Sequence, residues 1–180
     1  VGSITSVPGL TIPDEEWAAG VAPGADIAAI RISRGSICYM TAAAGGADMA
    51  SDLFRAFSQI ELWVEDGENI VAVNNSYGGT WFNPAGGFNT SCDTTNASTV
   101  LAKSAIDGLI SINVAPVFAS GNDWFRNGVS FPACVSTAVS VGNTTKADNV
   151  SASSNFQTTL VDIQAPGTDI VAAGRNGSAG

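Results

Sequence analysis

"VFASGNDW", residues 117–124, is the stretch from which the fold is read. An apolar run from Ile112 to Phe118 has the length of a strand heading into the interior, and it stops at Ser120, Gly121 and Asn122. Gly and Asn tolerate left-handed backbone angles, so a plain turn accounts for the stop when the stretch is taken alone. A turn does not explain why the strand ends on an Asn, whose side chain carries both an amide donor and an acceptor.

The segments on either side give that strand its partners. "ADIAAIRI" (25–32), introduced by Pro23 and Gly24, reads as a strand. Met49, Leu53, Phe57, Ile60 and Val64 recur at helical spacing and predict a helix over about 47–66. "DGENIVAVNN" leaves that helix through Gly67 and enters a strand at 69–75, followed by a polar loop from Ser76 to about Ala97. "STVLAKSAIDGLISI" reads as a second helix capped by Ser98 or Thr99, and "INVAPVFAS" as the strand that follows it. Further strands are expected at 136–143, at 159–165 and in "TDIVAA" (168–173). Strands that alternate with helices and have nearly continuous apolar cores imply βαβ units. The fold class expected is α/β, a three-layer, mostly parallel sheet with helices on both faces. Without a repeat or a hinge-like linker, the chain reads as one domain. In such folds the site lies at the carboxyl ends of the strands, where Ser76 and Asn122 both stand.

Composition narrows the possible functions. With 7 basic against 16 acidic residues, a net charge of -9 repels phosphate backbones and anionic lipid, so neither nucleic acid nor membrane is expected as a partner. Scarce Lys with abundant Gly, Ala, Ser, Thr and Asn suggests a secreted protein. Cys38, Cys92 and Cys134 are widely spaced, show no CxxC pair and have no His to share a zinc site, which favours one disulfide and one remaining thiol over a metal cluster. No signal peptide and no apolar run of membrane-spanning length is read in the sequence. A start at Val1 and an end in "GRNGSAG" suggest a piece cut from a longer protein.

The inventory for catalysis is short. Because the chain holds 0 His, a Ser-His-Asp or Cys-His arrangement cannot be assembled from it. No GxSxG elbow, Walker A loop or GxGxxG fingerprint is present. The acidic groups Asp14 to Glu16 and Glu61, Glu65 and Asp66 fall on turns or polar faces and read as solvated charges.

Five strand-end loops nevertheless form an ordered set: "GVAPGADIAAIRI" (20–32), "VNNSYGG" (73–79), "VFASGND" (117–123), "FPACVSTAVSVGNTT" (131–145) and "VDIQAPGTDI" (161–170). In this order and spacing they resemble the subtilisin-like serine peptidases, the subtilases. Members of that family carry a catalytic Asp in an early strand, a HGTHVAG helix, a GVAP segment, and a GTSMAxP helix bearing the nucleophilic Ser. By this resemblance residues 1–180 are the central part of a single peptidase domain, with the triad lying outside them. Ser178 in "GSAG" is not the nucleophile, since no TSMA sequence follows it. The resemblance implies a serine endopeptidase as the full protein and an inactive isolated chain, with one sheet face left partly bare.

The same resemblance assigns roles to individual residues. Ala119, Ser120 and Gly121 would form one wall of the S1 pocket, and Asn122 would direct its side-chain amide at the oxyanion. A fixed neutral NH2 donor suits that task, because it stabilises developing negative charge without titrating. Ser76, Tyr77 and Gly78 would form the opposite wall and pair their backbone with an extended substrate. Tyr77 stands where the family usually has Leu, which alters the S1 and S4 pockets. Cys92 and Cys134 are the implied disulfide, with Cys38 unpaired. No cofactor is required. A structural calcium or other hard cation would take backbone carbonyls of Ala133, Val135 and Ala138 with the carboxylate of Asp162. The partners implied are extended polypeptide substrates, bound by a monomeric, secreted protein.

Two other readings compete. A non-catalytic extracellular binding or adhesion module would keep the groove without the catalytic groups. A flavodoxin-like nucleotide binder needs an anion-binding helix start after the first strand, and "RGSICYM" (34–40) is a poor one.

Overall fold

The first helix, α1 (Gly46–Glu65), buries Leu53, Ala56, Phe57 and Ile60 along one face, as the helical spacing predicts. It closes where Gly67 adopts φ 99°: Gly67 N–H donates to Val64 O and Glu68 N–H to Trp63 O, the paired bonds of a left-handed glycine cap. The computed structural model in which these elements are seen describes residues 22, 24–32, 46–80, 82–83 and 85–170.

The second helix, α2 (Ala97–Ser111), is capped by Asn96 and not by Ser98 or Thr99. Asn96 Oδ1 accepts from Thr99 N–H at 3.1 Å, and Thr99 Oγ1 accepts from Asn96 N–H at 3.0 Å, so the expected cap residue instead completes a reciprocal capping box. The helix is closed just past Ser111 by Asn113, whose φ of 63° goes with bonds from Asn113 N–H to Ile110 O and from Val114 N–H to Leu109 O. Residues 112–114 are therefore helix cap. This is why the strand read from Ile112 begins only at Ala115.

Four strands follow the pattern expected but are shorter: β1 (Ala72–Asn75), β2 (Ala115–Ala119), β3 (Val139–Thr144) and β4 (Ile163–Pro166). They pair in the order β1-β2-β3-β4, all parallel, which gives the α/β architecture expected. Turns trim the predicted bounds. Val135 N–H bonds Pro132 O and Ala138 N–H bonds Val135 O ahead of β3, and Leu160 and Val161 N–H both reach Gln157 O ahead of β4. Residues 25–32 form no strand, and Ala25 to Ala29 are exposed. Ile30 and Ile32 pack against the core, and among the described residues no neighbouring ladder takes up the backbone groups of this segment. Residues 168–170 are also not a strand, while 171–173 lie outside the described residues.

The two sheet faces differ. Asn75, Pro116, Phe118, Ser140, Gly142 and Thr144 share a buried face by register, and Phe118 meets Phe57 of α1 edge-on at 6.1 Å. Helix α2 packs against both α1 and β2, so the helices form one layer over that face. Gly108 of α2 lies so close to α1 that a Cβ there would stand 2.2 Å from Glu61 Oε1. On the other face Ala72, Asn74, Ala115 and Ile163 are exposed, with Val117, Ala119, Val139 and Val141 half-buried. Among the described residues no helix is long and apolar enough to cross a membrane.

Candidate active site at the strand ends

The loops after β1 and β2 lie side by side because their strands are paired neighbours, Asn75 opposite Phe118. A short segment joins them. Gly79 and Phe131 exchange both backbone hydrogen bonds, at 2.9 and 3.0 Å, and Ser130 N–H donates to Ser120 O at 2.8 Å. Residues 130 and 131 thus bridge the two expected walls, the loop 76–79 on one side and 119–122 on the other. A side chain on Gly78 would bring its Cβ to 3.0 Å from Phe131 O, so the close approach depends on glycine.

In the first wall, the buried Asn75 donates through Nδ2 to Tyr77 O at 3.1 Å, which fixes the bend after β1. Ser76 and Gly78 are exposed, and Tyr77 packs half-buried against the core. Burial pushes the Tyr77 hydroxyl up to about 12, so it stays neutral and adds no charge to the cleft near neutral pH.

In the second wall, Ser120 is buried, with its N–H on Val141 O at 2.9 Å and its Oγ donating to Asn155 O at 2.9 Å. Gly121 follows with φ 110°, and its O accepts from Asn155 N–H at 2.8 Å. Asn122 then stands exposed at the strand tip, and among the described residues no hydrogen bond engages its side-chain amide. Asp123 turns the chain back: its Oδ2 accepts from Ser130 Oγ and from Asn155 Nδ2, each at 3.0 Å. The result is an open amide donor carried on a backbone tied down on both sides.

Cys92 and Cys134 form a disulfide with a Cα separation of 5.4 Å, and Cys92 N–H also donates to Cys134 O at 3.0 Å. It joins the end of the loop after the first wall to the segment that begins at Phe131. Cys38 lies outside the described residues. A cleft of about 550 Å³ opens nearby, lined by Asn83, Gly87, Phe125 and Arg126 among others, but by none of Ser76 to Gly78 or Ala119 to Asn122.

The four groups named for a cation sit around the turn before β3. Asp162 Oδ2 accepts from Ser140 N–H at 2.8 Å, and Val135 O accepts from Ala138 N–H at 3.0 Å. Ala133 and Ala138 are buried. The carboxylate and one of the three carbonyls therefore already serve the protein's own amides, and they have only their remaining lone pairs to offer a metal.

Sequence reasoning missed Asn155. It lies in "SASSNF" (151–156), a polar string that reads as surface loop, yet it is fully buried. Nothing in the residue pattern marks it, because its partners Ser120, Asp123 and Ser130 are about 25 to 35 positions away.

The parallel sheet with helices packed on it defines an α/β protein, and comparison with known proteins gives the family. A model of the subtilase family of peptidases matches residues 5–179. The chain belongs to that family. Over 96 residues it is 32% identical to an extracellular protease of Xanthomonas campestris pv. campestris, a match covering 53% of this chain and 16% of that protein. Among solved structures it is similar to the prenylagaramide maturation protease PagA, at 29% identity and a TM-score of 0.54, covering 72% of this chain and 41% of that one. It is also similar to a cold-adapted subtilisin-like serine proteinase, at 27% identity and a TM-score of 0.49, covering 68% and 37%. The chain thus spans less than half the length of each of these proteins.

Proposed function

We propose that the whole protein containing this chain is a secreted serine endopeptidase, and that residues 1–180 supply its oxyanion donor and substrate walls. The observation that carries the reading is the exposed, uncommitted side-chain amide of Asn122 at the tip of β2, beside the loop 76–79. Family membership supplies the chemistry to which that donor is suited.

The geometry performs the reaction as follows. An extended peptide lies between Ser76 to Gly78 and Ala119 to Gly121, pairing with the backbone of the first segment while the second forms a wall of the pocket. A Ser hydroxyl attacks the scissile carbonyl, and a His takes its proton. That His belongs to another part of the whole protein, since this chain has 0 His. Charge collects on the former carbonyl oxygen, where the Asn122 NH2 donates to it. Being neutral, the donor works across a wide pH range, and Tyr77 contributes no competing charge.

Secretion is supported by the disulfide, which persists in oxidising compartments, and by the extracellular protease relative. The net charge of -9 favours a protein without nucleic acid or anionic membrane as partner, and a monomer acting on polypeptides without a cofactor completes the proposal. The isolated 180-residue chain is expected to hydrolyse no peptide bonds, whereas the whole protein degrades an unfolded protein substrate in the same assay. Peptide hydrolysis by the chain alone would refute the division of labour. A whole protein that bound peptides without cleaving them would favour the adhesion module.

A structural cation at Ala133, Val135, Ala138 and Asp162 is a further part of the proposal; such an ion would brace the turn before β3 and take no part in the reaction. Adding calcium is expected to raise the melting temperature of the whole protein, and less so for Asp162→Asn. An equal shift in both forms, or none, would remove the ion from the account.

A further inference from the structure

Asn155 is 0% exposed, and both ends of its side-chain amide are hydrogen-bonded. Its Oδ1 accepts from the backbone N–H groups of Asp123 at 2.8 Å and Phe125 at 3.1 Å. Its Nδ2 reaches Ser120 O at 3.2 Å, Asp123 Oδ2 at 3.0 Å and Ser130 Oγ at 2.9 Å. Its own N–H donates to Gly121 O at 2.8 Å, and its carbonyl accepts from Ser120 Oγ at 2.9 Å. One side chain and its peptide units therefore hold residues 120, 121, 123 and 125. Asn122 is enclosed by these anchors but is itself left untied.

We infer that Asn155 is a positioning residue for the oxyanion donor: it sets the backbone of residues 120–125 so that the Asn122 amide stands ready without reorganisation. The inference rests on the oxyanion reading of Asn122. Such a donor is effective only if its direction is fixed before charge develops, and a misplacement of about 1 Å costs on the order of 10² in rate.

The chemistry explains why this position holds Asn. The loop needs an acceptor for two backbone N–H groups and, on the same planar group, an NH2 whose two hydrogens are shared among the Ser120 carbonyl, the Asp123 carboxylate and Ser130 Oγ. Asp would keep the acceptor but set a second carboxylate against Asp123. Leu would take away the acceptor of the Asp123 and Phe125 amides. The fit is also tight, because a Cβ on Gly121 would lie 2.3 Å from both Asn155 Nδ2 and Ser130 Oγ.

A residue that merely stabilises the core predicts something different from one that acts through Asn122. The test is a double-mutant cycle in the whole protein, measuring kcat and KM for Asn155→Asp, for the milder Ser130→Ala, for Asn122→Ala and for the combinations. Acting alone, Asn155→Asp is expected to lower kcat by about 10- to 100-fold and Ser130→Ala by about fivefold, with KM within about twofold. In the Asn122→Ala background each is expected to cost less than about threefold, because the group they position is gone. Equal losses with and without Asn122 would overturn the inference while leaving the oxyanion role intact. An Asn122→Ala enzyme with unchanged kcat would remove the oxyanion role and the inference with it. Should Asn155→Asp fail to fold, the Ser130→Ala cycle decides by the same criterion.

Discussion

Asn122→Ala in the whole protein is expected to lower kcat by roughly 10²–10³ while KM stays within about twofold, a magnitude measured for removal of such a donor from a subtilisin and not one calculated from this structure. The split between the two constants follows from where the amide acts. In the proposed reading a substrate in its ground state pairs mainly with the backbone of residues 76–78, while residues 119–121 only wall the pocket, and those contacts survive the substitution. The Asn122 donor meets full negative charge only in the tetrahedral intermediate, so its loss appears in the chemical step. Asn122→Asp is expected to be at least as damaging, since a carboxylate placed there repels the oxyanion. Steady-state kinetics on a peptide substrate check both variants, and a rise in KM with kcat unchanged would show that Asn122 binds substrate without stabilising the transition state.

The second large effect is on stability. Replacing Cys92 and Cys134 together by Ser is expected to cost about 4 kcal/mol of unfolding free energy, from the chain entropy released when a closed loop of 42 residues is opened. Local bonds offset some of this loss: Ser136 N–H and Oγ both reach the Asp93 carboxylate, at 2.9 and 2.6 Å, and hold the same junction together. Denaturant titration of the whole protein in both forms measures the difference. An unchanged midpoint would mean that those polar contacts, and not the covalent link, secure the segment behind the two walls. Because Phe131 lies close to Cys134 and pairs with Gly79, loosening the junction is also expected to raise KM more than it lowers kcat.

The parts of the molecule that were legible in the sequence are those governed by local period and by short motifs. The spacing of Leu53, Phe57 and Ile60 specifies α1, and the apolar core of "INVAPVFAS" specifies β2. The order and spacing of the strand-end loops carry the resemblance to the family. Element ends were harder to read, since a left-handed residue decides them. Asn113 extends the end of α2 into what reads as strand, and Asn96 takes the cap from the Ser and Thr that follow.

The segment 25–32 reads as a strand by composition, but strands exist only in ladders, and a single chain segment does not reveal its partner. Asn155 was hidden for a related reason. A buried amide is defined by what it bonds across the fold, and "SASSNF" offers no periodicity from which burial could be inferred. The proposed substrate walls therefore rest on short motifs that are legible in the sequence, whereas the residue that braces them is not.

The central claim is that Asn122 holds an oxyanion in a serine endopeptidase. Binding of a peptide boronic acid, which becomes a tetrahedral anion on the nucleophilic Ser, tests it most directly when compared with binding of a product peptide of the same sequence. The whole protein is predicted to bind the boronic acid far more tightly than the product. Asn122→Ala is predicted to weaken the boronic acid by about the factor lost in kcat while leaving product affinity within about twofold. Equal affinity of the two forms for the boronic acid, or no preference for it over the product peptide, would contradict the account.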